Sequence, residues 1–195
     1  MSRKSPVDLV WRPVETQFGV FAAGFSTAGL ARLGFPGARR GRKEKPSADL
    51  PDLFWDRQTA IALNDMLAGR KNVKFPPLDL SRGTPFQREV WNALKKLPRG
   101  QTVTYARLAA IIGRPGAARA VGGACGANPL PVFIPCHRVL AAGGGLGGFS
   151  AGLKWKRLLL ELETGRNKKI CLGGRAVCRL IRLSNETESL RRRRR

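Results

Sequence analysis

The run TPFQREVWNALKKLPRGQTVTYARLAAIIGRPGAARAVGGACGAN (residues 84–128) decides the fold of this 195-residue chain. Thr84 before Pro85 marks a helix start: threonine caps free N–H groups, and proline at the first helical position has no N–H to lose. Phe86, Val90, Trp91, Leu94 and Leu97 then recur on one face, and Pro98 with Gly100 stops the helix. Thr104 is placed to cap a second helix, YARLAAII, which ends at Gly113. After the turn GRPG, with Pro115 poised to open it, a third helix runs through AARAVGGACGAN (117–128). Two short helices across a tight glycine-containing turn make a helix-turn-helix pattern. The spacing equally admits an ordinary helical hairpin in a core.

The third helix is mostly Ala and Gly, with one long cation, Arg119. It offers few donors or acceptors to base edges, so it suits close approach to a backbone or shallow groove rather than sequence readout. Tight helix–helix packing favours the same small residues.

Upstream, TQFGVFAAGFSTAGLARLGFP (16–36) is a series of short apolar pieces. Gly19, Gly24, Gly29 and Gly34 punctuate it as a small antiparallel meander. GARRGRKEKPSADLP (37–51) reads as a loop or linker, and DLFWDRQTAIALNDMLAG (52–69) as one or two helical segments ended by Gly69. The prolines of KFPPLDL (74–80) make it an extended connector.

Lys and Arg number 36 against 13 Asp and Glu, a net charge of +23. Residues 164–195 carry 11 basic and 2 acidic side chains, so the preceding 163 residues still hold +14. A field of that sign attracts polyanions, and counterion release from a phosphate backbone would drive binding. A merely soluble cationic surface, or attraction to anionic lipid, is the blander reading. No stretch reaches the roughly 20 apolar residues of a membrane span, and the N-terminus lacks the apolar run of a signal peptide, so a soluble intracellular protein is expected. The four cysteines (Cys125, Cys136, Cys171, Cys178) have no Cys-x-x-Cys spacing, and His137 is the one histidine. That composition argues against a metal site and a disulfide framework, and leaves thiol chemistry open.

The chemistry gathers in LPVFIPCHRVLAAGGG (130–145). VFI reads as a short strand halted by Pro135, with Cys136 and His137 exposed at its end. A cysteine is a nucleophile only as thiolate, and a neighbouring base or cation is what lowers its pKa. His137 is the available base and Arg138 adds charge. Adjacent residues on an extended chain point oppositely, so a turn or a bridging water is needed to join them. Glu161 and Glu163, on the helix GLKWKRLLLELE (152–163), are candidates to orient the histidine. A buried, inert Cys136 is the competing reading.

Pro135-Cys136-His137-Arg138-Val139 resembles the active-site pentapeptide of the O6-alkylguanine-DNA alkyltransferases (methylated-DNA–protein-cysteine methyltransferases). TPFQREVWNALKKLPRGQTVTY, AARAVGGACGANPLPVFIPCHRV and GGFSAGLKWKRLLLE follow that family's C-terminal domain in order and spacing. The similarity is strong over about 80–163. The resemblance implies an α/β (α+β) fold: a small N-terminal sheet domain of ribonuclease-H-like type over 1–79, with a basic loop near 37–50. A mainly helical DNA-binding and alkyl-acceptor domain over 80–163 follows, with a winged-helix-like helix-turn-helix. The basic segment 164–195 matches nothing in the family and is expected to be a disordered tail that adds nonspecific DNA affinity.

The resemblance also implies roles. Cys136 accepts the alkyl group from guanine O6, His137 deprotonates it through a water, and Glu163 orients the histidine. Tyr105 turns the target nucleotide out and helps neutralise the leaving guanine, while Asn128 braces the active-site turn. Arg119 enters the base stack from the minor groove, with Ala118, Gly122 and Arg138 alongside as DNA contacts. Pro131, Val139, Phe149, Ser150 and Ala151 line the base pocket, and backbone groups at Cys136 and Val139 recognise the guanine edge. Phe149 stands where the family often has tyrosine, and Ala151 replaces a common glycine, which narrows the space for alkyl groups larger than methyl.

The implied reaction is single-turnover, because a thioether offers water no carbonyl to attack. It needs no cofactor and no metal, and no Cys or His in the first 124 residues can serve the zinc site some relatives carry. The implied partner is double-stranded DNA containing O6-alkylguanine, with O4-alkylthymine as a further candidate, bound through the minor groove with the base flipped. A monomer with no membrane partner is expected. It would be cytoplasmic, at the nucleoid in a prokaryote or in the nucleus of a eukaryote. A non-transferring protein that binds alkylated bases, and a cysteine hydrolase, are the alternatives.

Overall fold

The computed structural model describes residues 9–37 and 54–164. The expected basic loop beyond Gly37, the tail beyond Thr164, and Cys171 and Cys178 lie outside the described residues. Three strands, β1 (Val10–Thr16), β2 (Gly19–Ser26) and β3 (Gly29–Gly34), form an antiparallel sheet in the order β1-β2-β3. On β2, Phe21, Ala23 and Phe25 are fully buried, the period of two that gives a sheet one core face. Helix α1 (Phe54–Leu67) covers that sheet with Ala62, Leu63 and Leu67.

The meander departs from expectation at two points. Its first strand begins at Val10, ahead of the glycine-punctuated run, and Gly24 makes no turn. Gly24 sits inside β2 opposite Trp11, at a register shift, and the Trp11 ring lies where a Cβ would be. There the glycine permits close approach of an aromatic ring.

The second half is built on α2 (Pro85–Lys95), α3 (Tyr105–Ile111), α4 (Ala118–Gly126) and α5 (Leu153–Thr164). Thr84 and Gln87 form a reciprocal cap on α2: Gln87 N–H donates to Thr84 Oγ1 at 3.2 Å and Thr84 N–H to Gln87 Oε1 at 2.9 Å. Thr104 caps α3 by accepting from Arg107 N–H at 3.1 Å. The third helix starts at Ala118, three residues beyond Pro115, because Gly116 has φ +93° and breaks the helical path. Trp91 Nε1 donates to Ala124 O at 2.8 Å and fixes α4 across α2. The fold is mixed α/β, with α3 and α4 packed together as the helix-turn-helix pair.

VFI is not a strand. Val132 takes φ +78° and Ile134 N–H donates to Leu130 O at 2.8 Å, so residues 130–134 form a tight turn. The strand is β5 (Val139–Leu140), parallel to β4 (Val103–Thr104). Between turn and strand, Cys136–Arg138 form one turn of 3₁₀ helix. Aromatic contacts tie the sheet to this half: Phe35 meets Trp155 of α5 at 4.7 Å and Phe149 at 5.9 Å between ring centroids.

Candidate active site

Asn128, just beyond α4, holds the turn that carries the cysteine. Its Nδ2 donates to Ile134 O at 2.8 Å and to Cys136 Sγ at 3.1 Å, while its Oδ1 accepts Leu130 N–H at 3.0 Å. Cys136 and His137 are not exposed as expected: they are 5% and 1% accessible. The 3₁₀ turn tucks both beneath the surface instead of leaving them on an extended end. Burial pushes the Cys136 thiol up, against the Asn128 hydrogen bond and the positive charge of Lys156, so the resting group is a thiol.

His137 Nε2 lies 2.8 Å from Glu163 Oε1. Burial holds the imidazole below its ordinary range despite the carboxylate, so at neutral pH it is uncharged. A carboxylate only accepts, so Nε2 carries the hydrogen and Nδ1 presents a lone pair. That Nδ1 is buried and has no hydrogen-bond partner. Burial by itself would raise the Glu163 carboxyl, but hydrogen bonds from His137 and Arg138 bring it down to about 2. Glu161 is not the orienting carboxylate.

Arg138 corrects the expectation of a DNA contact. It is 7% exposed. Its Nε donates to both Glu163 oxygens at 2.9 and 3.0 Å, Nη2 to Oε1 at 2.7 Å, and Nη1 to Leu97 O at 2.5 Å. A guanidinium so engaged is a clamp on the Glu163 carboxylate, not a free phosphate ligand.

Tyr105 opens α3, half-buried, with its ring against Gly122 of α4 and its hydroxyl against Gly147. Burial, then the nearby Cys125 and Cys136 thiols, push its phenol up. Arg119 stands exposed on α4, with Ala118 and Gly122 partly exposed beside it. Of the five expected pocket residues, Pro131, Ser150 and Ala151 line one cavity of about 460 Å³, together with Asn128, Phe35 and Trp91, but neither Cys136 nor Tyr105 is among its lining residues. Phe149 packs on Phe35 instead, and Val139 is wholly buried. The Cys136 and Val139 carbonyls each already accept one donor, Val139 N–H and Lys156 Nζ respectively.

Two nearby residues were given no place at the site by the sequence. Cys125, on α4, is a second buried thiol whose pKa burial pushes up to about 12. Lys156 is wholly buried on α5. Its signal was a lysine three residues before Leu159 on the helix face that also carries Glu163. Among the described residues no group of three or more His, Cys, Asp or Glu side chains converges to hold a metal, and no helix is long and apolar enough to cross a membrane.

Comparison with known proteins bears on the same residues. Residues 85–165 match the family model of the 6-O-methylguanine DNA methyltransferase DNA-binding domain. The chain is 50% identical over 120 residues to the methylated-DNA–protein-cysteine methyltransferase of Salmonella typhimurium, covering 62% of this chain and 67% of that one. Its fold is similar to Mycobacterium tuberculosis OGT crystallised with DNA, with TM-score 0.69 and 38% identity over 80% of this chain and 93% of the other. The O6-methylguanine-DNA methyltransferase of Pyrococcus kodakaraensis is also similar, with TM-score 0.59 and 28% identity over 80% and 98%. A buried thiol bonded to Asn128, a His137–Glu163 pair and a helix-turn-helix thus sit on a fold and sequence shared with these proteins: the chain belongs to the methylated-DNA–protein-cysteine methyltransferases.

Proposed function

We propose that this protein repairs DNA by moving an alkyl group from guanine O6 to Cys136 Sγ, once per molecule. The observation that carries the reading is the junction at Cys136. Its sulfur is held by the Asn128 amide, beside an imidazole whose Nε2 is tied to Glu163 and whose buried Nδ1 lone pair is free to take a proton. His137 Nδ1 accepts the thiol proton through a water. The thiolate attacks the alkyl carbon, the S–C bond forms as the C–O6 bond breaks, and the bond pair stays on the guanine oxygen. The guanine takes up a proton and leaves unmodified. Glu163 stabilises the imidazolium, and Arg138 keeps that carboxylate charged and aimed.

A methyl group inside a duplex is out of reach of a buried sulfur, so the nucleotide must leave the stack. Tyr105, at the start of α3 and near Cys136, is placed to meet it. Arg119, exposed on α4, is placed to fill the gap from the minor groove, and the small side chains of α4 let the helix lie close without reading sequence. The net charge of +23 supports binding to any duplex. We assign residues 80–163 as the acting domain and 1–79 as its support, with the protein working as a monomer on DNA in the cytoplasm or nucleoid.

The test is intact-protein mass after incubation with an O6-methylguanine duplex. The expected result is a gain of one CH2 unit, absent in Cys136→Ala. Binding without a mass change would mean a non-transferring reader of alkylated bases, and repeated turnover of an ester would mean a hydrolase.

A further inference from the structure

Lys156 is one of the largest wholly buried side chains in the protein, with no carboxylate among its hydrogen-bond partners. Its ammonium donates instead to three backbone carbonyls: Val139 O at 2.6 Å, Leu146 O, and Gly148 O at 3.4 Å. A buried cation held only by carbonyl dipoles is costly, and burial holds its pKa down. The three acceptors are not neighbours in sequence. Val139 opens β5 directly after the Cys136 turn, whereas Leu146 and Gly148 flank Gly147 in the glycine-rich loop.

Gly147 is where that loop touches the site. It has φ +65°, and a Cβ there would lie 3.0 Å from the Tyr105 hydroxyl and 3.1 Å from its ring. The loop holds Gly143, Gly144, Gly145, Gly147 and Gly148, so its backbone has no local preference to keep it in place. No described helix or strand pairs with it between Gly145 and Ala151.

We propose that Lys156 is a positioning residue for alkyl transfer: its ammonium fastens the glycine-rich loop to the active-site turn and thereby seats Gly147 against Tyr105. This rests on the transfer reading above. Loop, Tyr105 and Cys136 then form one wall whose spacing is set from α5, from inside the core. A misplacement of about 1 Å at such a wall can cost about 100-fold in rate while leaving ground-state binding largely intact. The charge has a second consequence, since the field of Lys156 favours the Cys136 thiolate over the thiol.

The experiment compares the full chain with Lys156→Met, which keeps the stem and removes the donors, and with Gly147→Ala, which disturbs the other end of the same contact. Single-turnover transfer from an O6-methylguanine duplex is measured across DNA concentrations, alongside amide hydrogen exchange of residues 141–150. For Lys156→Met the expected result is half-saturation within about threefold, a saturating rate down about 100-fold, and faster exchange confined to the loop. Gly147→Ala should lose rate similarly with Lys156 intact. Native loop exchange in Lys156→Met, or a saturating rate within about threefold of the parent, overturns the proposal. If Lys156→Met does not fold, Gly147→Ala decides, and full rate there overturns it. Failure of the parent to gain alkyl mass would sink the transfer reading, whereas loop exchange still tests the fastening on its own.

Discussion

His137 Nε2 sits 2.8 Å from Glu163 Oε1 across 26 positions of sequence, with side-chain exposures of 1% and 5%. The carboxylate is not the histidine's alone. Arg138 grips both its oxygens and Gly100 N–H donates to Oε2 at 3.0 Å, so α5 is locked to the active-site turn and to the end of the α2 loop at one point. Orientation of the base and cohesion of the domain depend on the same group.

Glu163→Gln should therefore damage both. The amide leaves Arg138 buried without a counter-charge, which costs about 3–5 kcal/mol when one partner of a buried pair is removed. Urea denaturation should show that loss, and single-turnover transfer should slow in the fraction that remains folded.

Acid should weaken the protein in two stages. The folded pKa of His137 is below 6.5, so its contribution to stability is complete above pH 6.5 and declines as pH falls below it. Glu163 is lowered from 4.5 to about 2, so its contribution is complete above pH 4.5 and is lost as pH falls toward 2, amounting to ~3 kcal/mol at most. Unfolding free energy measured against pH should show both declines, and Glu163→Gln should lack the lower one. Transfer rate should hold as pH drops through 6.5 and fall only beneath it, since the base must be neutral.

Asn128→Ala removes three hydrogen bonds from one buried turn, at Ile134 O, Cys136 Sγ and Leu130 N–H. Leaving the Leu130 N–H unsatisfied should cost about 1–3 kcal/mol, whereas Ile134 O keeps the Cys136 N–H as a donor at 2.8 Å. Thermal unfolding should register the loss, and alkylation of Cys136 should slow in intact-mass time courses.

Arg119→Ala should separate DNA handling from chemistry. Arg119 is exposed on α4, whereas Cys136 is buried. Transfer from an alkylated duplex should slow, while transfer from the free alkylated nucleobase stays unchanged. Equal slowing on both substrates would contradict the assigned role.

Ala151 lines a cavity with Pro131, Ser150 and Asn128, whose amide donates to Cys136 Sγ. Benzyl adducts should react more slowly than methyl adducts on matched oligonucleotides. Ala151→Gly should raise the benzyl rate more than the methyl rate.

Much of this was legible along the chain because the signals are local. Thr84-Pro85 with Gln87, and Thr104 before Tyr105, mark helix starts through side chains that bond their own first turn. That Glu163 lies against His137 was implied by the family resemblance that Pro135-Cys136-His137-Arg138-Val139 carries, and the two are 2.8 Å apart. The Val132 turn was misread as a strand because β-branched and aromatic residues favour strands locally, whereas Asn128 and the Leu130–Ile134 hydrogen bond impose a turn.

Composition and residue order alone supplied one histidine, a cysteine beside it, an excess of basic side chains, and a helix-turn-helix pattern whose second helix is mostly Ala and Gly. How those residues are used depends on the folded state. Arg138 is drawn inward by Glu163, Cys136 is buried as a thiol, and Lys156 spans from α5 to a loop ten residues upstream and to Val139. Burial and charge pairing between segments distant in sequence set each of these, and neither propensity nor spacing along the chain encodes them.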